Sequence, residues 1–347
     1  MKFFSSKYIK KIYIFGIVFF ILPLTSCNDD GDDLHDYPNP LIATTTSDFS
    51  GIEGFETDKE KIKAIYDAGF KYVDFSLYSL SLNDEYMKEN WEEKILDLKE
   101  YADNLGVKFV QAHSPGGNPC STNEDEVDSL IKTTKRSIEI CGVLGIPNTV
   151  VHAGTNESFS KEKWLESNKN FYAQILPVAK ENNVNVLCEN TTTKNIGKAF
   201  GLTNADRMLE FIQYVDHQNF HACWDVGHGN CERNQISNIN KLGKEIFAIH
   251  LDDNFGNQDS HLLPYCGNAD FRSIVKALDN IGFEGYYSFE ADGSNRNIGW
   301  YHGKDFSELL GLPKGTSVSS LNRIEQEKWL FYLAKRIYNF RNIKETE

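Results

Sequence analysis

From Pro40 onward, short runs of β-branched and aromatic residues alternate with longer stretches whose apolar side chains recur every three or four positions. The short runs predict strands at 41–45, 72–75, 108–112, 149–152, 184–189, 220–225, 247–251 and 286–290. Between them the longer period predicts helices at 59–68, 92–105, 124–144, 161–182, 205–215 and 271–281, and a last one over 321–340 closes the chain. Gly69, Gly106, Gly145 and Gly282 each follow an apolar helical stretch, where a left-handed C-cap is wanted. A strand begins within a few residues of each.

Eight strand-then-helix units predict an α/β fold, a (β/α)8 TIM barrel in a single domain. The competitor is a doubly wound open sheet. No GxGxxG follows the first strand, which argues against a dinucleotide site. The stretch 291–320 is polar and glycine-rich and reads as a loop over the active site rather than a second domain.

The first residues follow another pattern. Lys2, Lys7, Lys10 and Lys11 precede an apolar run over 12–24 that ends in Leu24-Thr25-Ser26-Cys27. A basic head, a short apolar middle and a small-residue exit describe a secretory leader, too short to span a bilayer comfortably. The cysteine at the exit resembles the lipobox of bacterial lipoproteins, which implies lipidation at Cys27. The acidic run after it, Asn28 to Asp33, is too polar to pack and reads as a tether. The expected organisation is a lipoprotein leader over 1–26, an acidic tether over 27–38 and a barrel over 39–347. The protein is then exported, facing the periplasm or the cell surface, and meets the membrane through its lipid alone.

Charge narrows the partners. The formal net charge is −14, and it falls to −18 once the four leader lysines are gone. Such a surface repels phosphodiester backbones, and no basic run offsets it, so no nucleic-acid partner is expected. Of the six remaining cysteines, Cys141, Cys188 and Cys223 fall inside apolar runs and read as buried thiols. Cys120, Cys231 and Cys266 fall in loops where export would permit pairing. No CxxC spacing suggests a zinc knuckle.

The candidate chemistry lies at the strand ends. Consecutive strands three to eight run into His113, His152, Glu189, Asp225, His250 and Glu290, with His228 one turn beyond Asp225. Singly, each has a plain structural reading: a hydrogen-bonded packing histidine, a salt-bridged strand end, or a carboxylate capping the next helix. In a parallel barrel, however, all six converge on the mouth where active sites lie, and packing accidents would not collect on one rim. Imidazoles mixed with carboxylates suit a divalent cation such as Mn2+, Zn2+ or Co2+. His221, at a strand start on the opposite rim, keeps the structural reading.

These motifs carry a resemblance. Ala112-His113-Ser114-Pro115, Val151-His152-Ala153-Gly154, Cys188-Glu189-Asn190-Thr191, Trp224-Asp225-Val226-Gly227-His228, Ile249-His250-Leu251-Asp252, Asp259-Ser260-His261 and Phe289-Glu290 stand in this order. Together they resemble the sugar phosphate isomerase/epimerase superfamily, xylose isomerase-like barrels that include the AP endonucleases, over about residues 40–340. The epimerase branch implies one metal on Glu189, Asp225, His250 and Glu290, with the two glutamates exchanging substrate protons. The endonuclease branch implies up to three metals, and each of its nine ligand positions has a candidate here, adding His113, His152, His228, Asp259 and His261.

The resemblance therefore implies a metal-dependent isomerase or epimerase that moves a proton beside a sugar carbonyl through an enediolate. Glu189 and Glu290 would be its acid and base, and His228 would orient a substrate hydroxyl. Export argues for a free sugar or glycoside over a sugar phosphate. Three other readings share the site: β-elimination from a keto-glycoside, trinuclear phosphoester hydrolysis, and metal-dependent glycan binding without catalysis. Trp224, Tyr265 and Trp300 are the aromatic candidates for stacking on a sugar.

Overall fold

A computed structural model of the chain describes Tyr37 and residues 39–294, 300–301, 304–305 and 320–341. The leader, Cys27, the tether up to Asp36, His302, the side chain of Trp300 and most of the 291–320 loop lie outside the described residues.

Glycine and one threonine mark several of the boundaries. Helices α1 (Asp58–Ala68), α2 (Trp91–Leu105) and α3 (Glu124–Leu144) end on Gly69, Gly106 and Gly145, all with positive φ. That conformation lets the cap N–H reach back to the last carbonyls at no Cβ cost. At the start of α1, Thr57 accepts from the Glu60 N–H while the Glu60 carboxylate accepts from the Thr57 N–H at 2.9 Å, a reciprocal cap.

The strands are β1 (Ile42–Thr45), β2 (Tyr72–Ser76), β3 (Lys108–His113), β4 (Asn148–Val150), β5 (Asn185–Glu189), β6 (Phe220–Asp225), β7 (Ile246–Leu251) and β8 (Tyr287–Phe289). They form one closed parallel barrel in sequence order, sealed where β1 pairs β8 through Ile42 with Tyr287 and Thr44 with Phe289. Closure excludes the open-sheet alternative. Outside run α4 (Lys161–Glu181), α5 (Thr193–Ile196), α6 (Ala205–Val215), α7 (Val226–Glu232), α8 (Gln235–Leu242), α9 (Phe271–Asn280) and α10 (Ser320–Tyr338).

Two strands are shorter than their pattern suggests. β4 stops at Val150 and β8 at Phe289, so His152 and Glu290 stand just beyond their strands. The helices α5, α7 and α8 have no counterpart in the periodicity, since short helices show too few turns to repeat it.

A strand's side chains alternate between faces, which makes two apolar layers. The larger packs between sheet and helices and includes Phe75, Trp164, Trp224, Phe271 and Phe289. A small one, Val150, Leu187, Cys223 and Ala248, fills the barrel interior. Two positions further along those four strands come His152, Glu189, Asp225 and His250, on the same inner face. The interior is thus plugged below and polar above.

Among the described residues all six cysteines are free, so Cys120, Cys231 and Cys266 are not paired, and Cys231 lies in α7 rather than in the loop expected for it. No described helix is long and apolar enough to cross a membrane. A buried ion cluster ties α10 to the rim: Arg323 contacts Asp48 at 2.8 Å and also Glu327, all three without solvent exposure.

Candidate metal centre

Nine side chains from the strand ends and their loops gather at the carboxyl mouth. Glu189 is the hub. Its Oε2 lies 2.7 Å from His152 Nε2 and its Oε1 2.5 Å from His250 Nδ1. His113 Nε2 meets His152 Nε2 at 3.0 Å, so His113, His152 and Glu189 form one compact group. Glu290 Oε2 approaches the same His250 Nδ1 at 3.5 Å. Asp225 is the ladder neighbour of His250 across β6 and β7, and forms a second group with Glu189 and His228.

A third group stands apart from the first. His228 Nε2 is 2.9 Å from Asp259 Oδ2, and His261 Nε2 is 3.3 Å from Asp259 Oδ1. The turn that brings His261 here has positive φ (44°), a conformation seldom adopted by histidine. His228 faces two carboxylates, with Nδ1 also 3.3 Å from Asp225 Oδ1.

Local structure places these groups. Asp225 ends β6 and also caps α7, its Oδ1 accepting the His228 N–H at 2.5 Å. The capping reading and the site reading of this residue hold together: one oxygen starts the helix, and Oδ2 is left buried with no hydrogen-bond partner. Gly227 has no room for a side chain, because a Cβ would lie 1.8 Å from Asp252 Oδ1.

The electrostatics are those of an acidic pocket of largely buried side chains. Burial, against the pull of His250 and His261, pushes the Glu290 carboxyl up to about 7. Burial and the neighbouring His152 bring His113 down to about 4. Burial opposes charge on His228, yet Asp225 and Asp259 carry it up to about 10.

Whether a cation fits can be judged from the atoms left over. Asp225 Oδ2 and Asp252 Oδ1 are buried with no hydrogen bond, and Asp259 Oδ1 and Asp252 Oδ2 meet only His261, at 3.3 and 3.5 Å. Buried carboxylate oxygens lacking donors are costly unless a positive charge meets them. Hard oxygens mixed with imidazole nitrogens are the donor set of a borderline divalent metal. The residues fit one.

Two carboxylates here escape the strand-end pattern. Asp74 lies inside β2, fully buried, with Oδ2 accepting from Gln111 at 2.7 Å and Ser288 at 2.9 Å and standing 3.3 Å from His250 Nε2. Its signal was a carboxylate in the middle of an otherwise apolar strand. Asp252, two positions after His250 and so on the same face, stands 3.5 Å from His261 Nδ1.

The stacking candidates fare differently. Trp224 is fully buried and donates to Gln235 at 3.1 Å. Tyr265 packs edge-on against Phe271 and does not line the cavity. His221, as read, pairs with Glu245 at 3.0 Å and stacks on Phe247, away from the mouth.

Together these features define a closed (β/α)8 barrel with a histidine–carboxylate cluster at its carboxyl mouth, opening into a cavity of about 980 Å3. The chain belongs to the xylose isomerase-like TIM barrel family, whose model matches residues 62–309. It is 29% identical over 213 residues, 58% of this chain and 69% of the relative, to an uncharacterized protein of Methanocaldococcus jannaschii. Its fold is shared by D-psicose 3-epimerase of Clostridium cellulolyticum, at 16% identity and TM-score 0.65, covering 86% of this chain and 99% of that one. It is shared too by 3-keto-D-glucoside 4-epimerase of E. coli, at 14% identity and TM-score 0.63, covering 86% and 99%.

Proposed function

We propose that this protein is a metal-dependent sugar isomerase or epimerase that transfers a proton beside a carbonyl. The observation that carries the reading is the convergence of Glu189 and Glu290 on His250 Nδ1, at 2.5 and 3.5 Å. Two carboxylates at one point are what removal and return of a carbon-bound proton require. Fold-mates named for epimerising D-psicose and a 3-keto-D-glucoside support the class of substrate.

Glu189, Asp225, His250 and Glu290 would hold the cation. When bound, it supplies Lewis acidity to charge developing on the substrate oxygens. The protein's own groups do the rest. One glutamate takes the proton from the carbon, and the other delivers one to the opposite face or the adjacent carbon. Burial raises the Glu290 carboxyl in the metal-free pocket, and a bound cation would draw it back toward the ionised form that accepts a proton. Asp74 holds the far side of the His250 ring, and the plug of Val150, Leu187, Cys223 and Ala248 closes the floor to water. With a leader over 1–26 and lipid on Cys27, the reaction would take place outside the cytoplasm on a free sugar or glycoside.

Turnover in deuterated water tests this. Label should enter the sugar with the metal-loaded protein and be lost in both Glu189→Gln and Glu290→Gln. Normal incorporation in both variants would refute the mechanism. If the product is an aglycone or a second sugar, the same proton abstraction drives β-elimination instead.

A second reading has its own observation. The side chains of the mouth form five overlapping groups of possible ligands, two of which, His113–His152–Glu189 and His228–Asp259–His261, share no residue. That arrangement favours trinuclear phosphoester hydrolysis. Three metals per chain by elemental analysis, with turnover of a small phosphodiester and no label uptake, would select it.

A further inference from the structure

Among the described residues, the cavity presents an exposed aromatic ring, Tyr78, that is none of the three stacking candidates. Tyr78 lies two residues past β2, is 51% exposed and lines the cavity. Its ring stands edge-on to His113, 5.2 Å away at 73°, and to His152, 6.0 Å away at 65°. The setting is rigid. Gly116 donates its N–H to the Tyr78 carbonyl at 2.9 Å, and the preceding Leu77 donates to His113 O at 2.8 Å. A Cβ on Gly116 would lie 2.4 Å from the ring, so the β3 loop has been kept bare to receive it. A large apolar face held open to a polar cavity costs free energy unless a ligand covers it, and a pre-set ring loses little entropy on doing so.

Its position says which part of a ligand it would cover. The rings beside it are those of His113 and His152, which in turn adjoin His250, 5.9 Å from His113 ring to ring, and Glu189, 2.7 Å from His152 Nε2. With two imidazoles between it and the reacting pair, Tyr78 is set to meet a part of the ligand other than the ring that reacts between Glu189 and Glu290. The cavity, at about 980 Å3, is at the upper end of small-molecule sites, which run from roughly 300 to 1,000 Å3, and has room for both. We propose that Tyr78 is the platform for a second ring, aglycone or neighbouring sugar, so that the substrate class is a glycoside rather than a free monosaccharide. This rests on the sugar-acting reading of the site.

Binding separates the two ideas. Dissociation constants of the Mn2+-loaded protein are measured calorimetrically for 3-keto-glucose and for phenyl 3-keto-glucoside, in wild type, Tyr78→Ala and Tyr78→Phe. The glycoside should bind more tightly than the monosaccharide. Tyr78→Ala should erase that advantage, weakening the glycoside by roughly three- to tenfold and leaving the monosaccharide unchanged. Tyr78→Phe keeps the ring and should keep the advantage, which guards against misreading a folding defect. Equal binding of the two sugars by wild type, an advantage that survives in Tyr78→Ala, or no binding of either sugar overturns the inference. If the glycoside binds as expected but takes up no deuterium and yields no product, the catalytic reading fails and the platform stands.

Discussion

His250 is held between two carboxylates: its Nδ1 faces Glu189 Oε1 at 2.5 Å, and its Nε2 stands 3.3 Å from Asp74 Oδ2. A histidine that offers one nitrogen to a cation usually rests its other N–H on an oxygen acceptor, which fixes both tautomer and ring angle. Asp74 is itself fixed by Gln111 and Ser288. Asp74→Asn should therefore weaken metal binding by about 10- to 100-fold, read by competition with a chromophoric chelator. Unchanged affinity would mean that Asp74 serves only the barrel's packing.

Removing metal should lower stability as well as activity. Asp225 and Asp252 each carry a buried oxygen with no hydrogen bond, and a ligand that binds only the folded state adds to its stability. Dialysis against a chelator should lower the melting temperature, and Mn2+, Zn2+ or Co2+ should restore it, whereas Na+ should not. A chelator-treated sample that melts with the untreated protein, with no metal detected in either, contradicts the cation site.

Gly227→Ala tests the close approach of α7 to β7. The new methyl would lie 1.8 Å from Asp252 Oδ1, so the helix start or Asp252 must move, and Asp225 and His228 move with the helix. Overpacking of this kind costs about 1–3 kcal/mol. The expected outcome is a lower denaturation midpoint together with weaker metal binding. A variant with wild-type values for both would show that the region yields easily.

The Arg323 cluster predicts a larger loss. Arg323→Met leaves Asp48 and Glu327 buried without their shared cation. Breaking a buried pair from one side typically costs about 3–5 kcal/mol. Urea unfolding should show a loss of that order. A loss below about 1 kcal/mol would mean that water reaches the pair.

How far the site could be read from sequence depended on whether a residue's role follows from its position in a strand. His113, Glu189, Asp225 and His250 end their strands on the inner face, and alternation alone places them together. His152 and Glu290 were found although their strands stop short, because the chain keeps its direction for a residue or two past the last ladder bond. Asp74 and Asp252 share that inner face but not the end position, so a search along strand ends passed over them. Tyr78 lies in a loop and Asp48 in a single 3-10 turn, Thr46–Phe49, where no period exists and only the folded backbone tells which way a side chain faces. Trp224 shows the converse: a tryptophan beside a catalytic motif, but on the outward face, where the helices cover it. The short helices α5 and α7 follow the same logic, started by the side-chain caps of Thr192 and Asp225 rather than by a repeating apolar stripe.

The pairing of β1 with β8 has a consequence for biogenesis. The first and last staves of the barrel touch each other, so the ring cannot be completed until Tyr287 is available to Ile42. If the chain is exported as proposed, passing stepwise through a translocation pore, it would travel as an open, unsealed ribbon and could gather the proposed ligands Glu189, Asp225, His250 and Glu290 only on the far side. The metal would then be acquired from whatever ions that compartment offers, not from those of the cell interior.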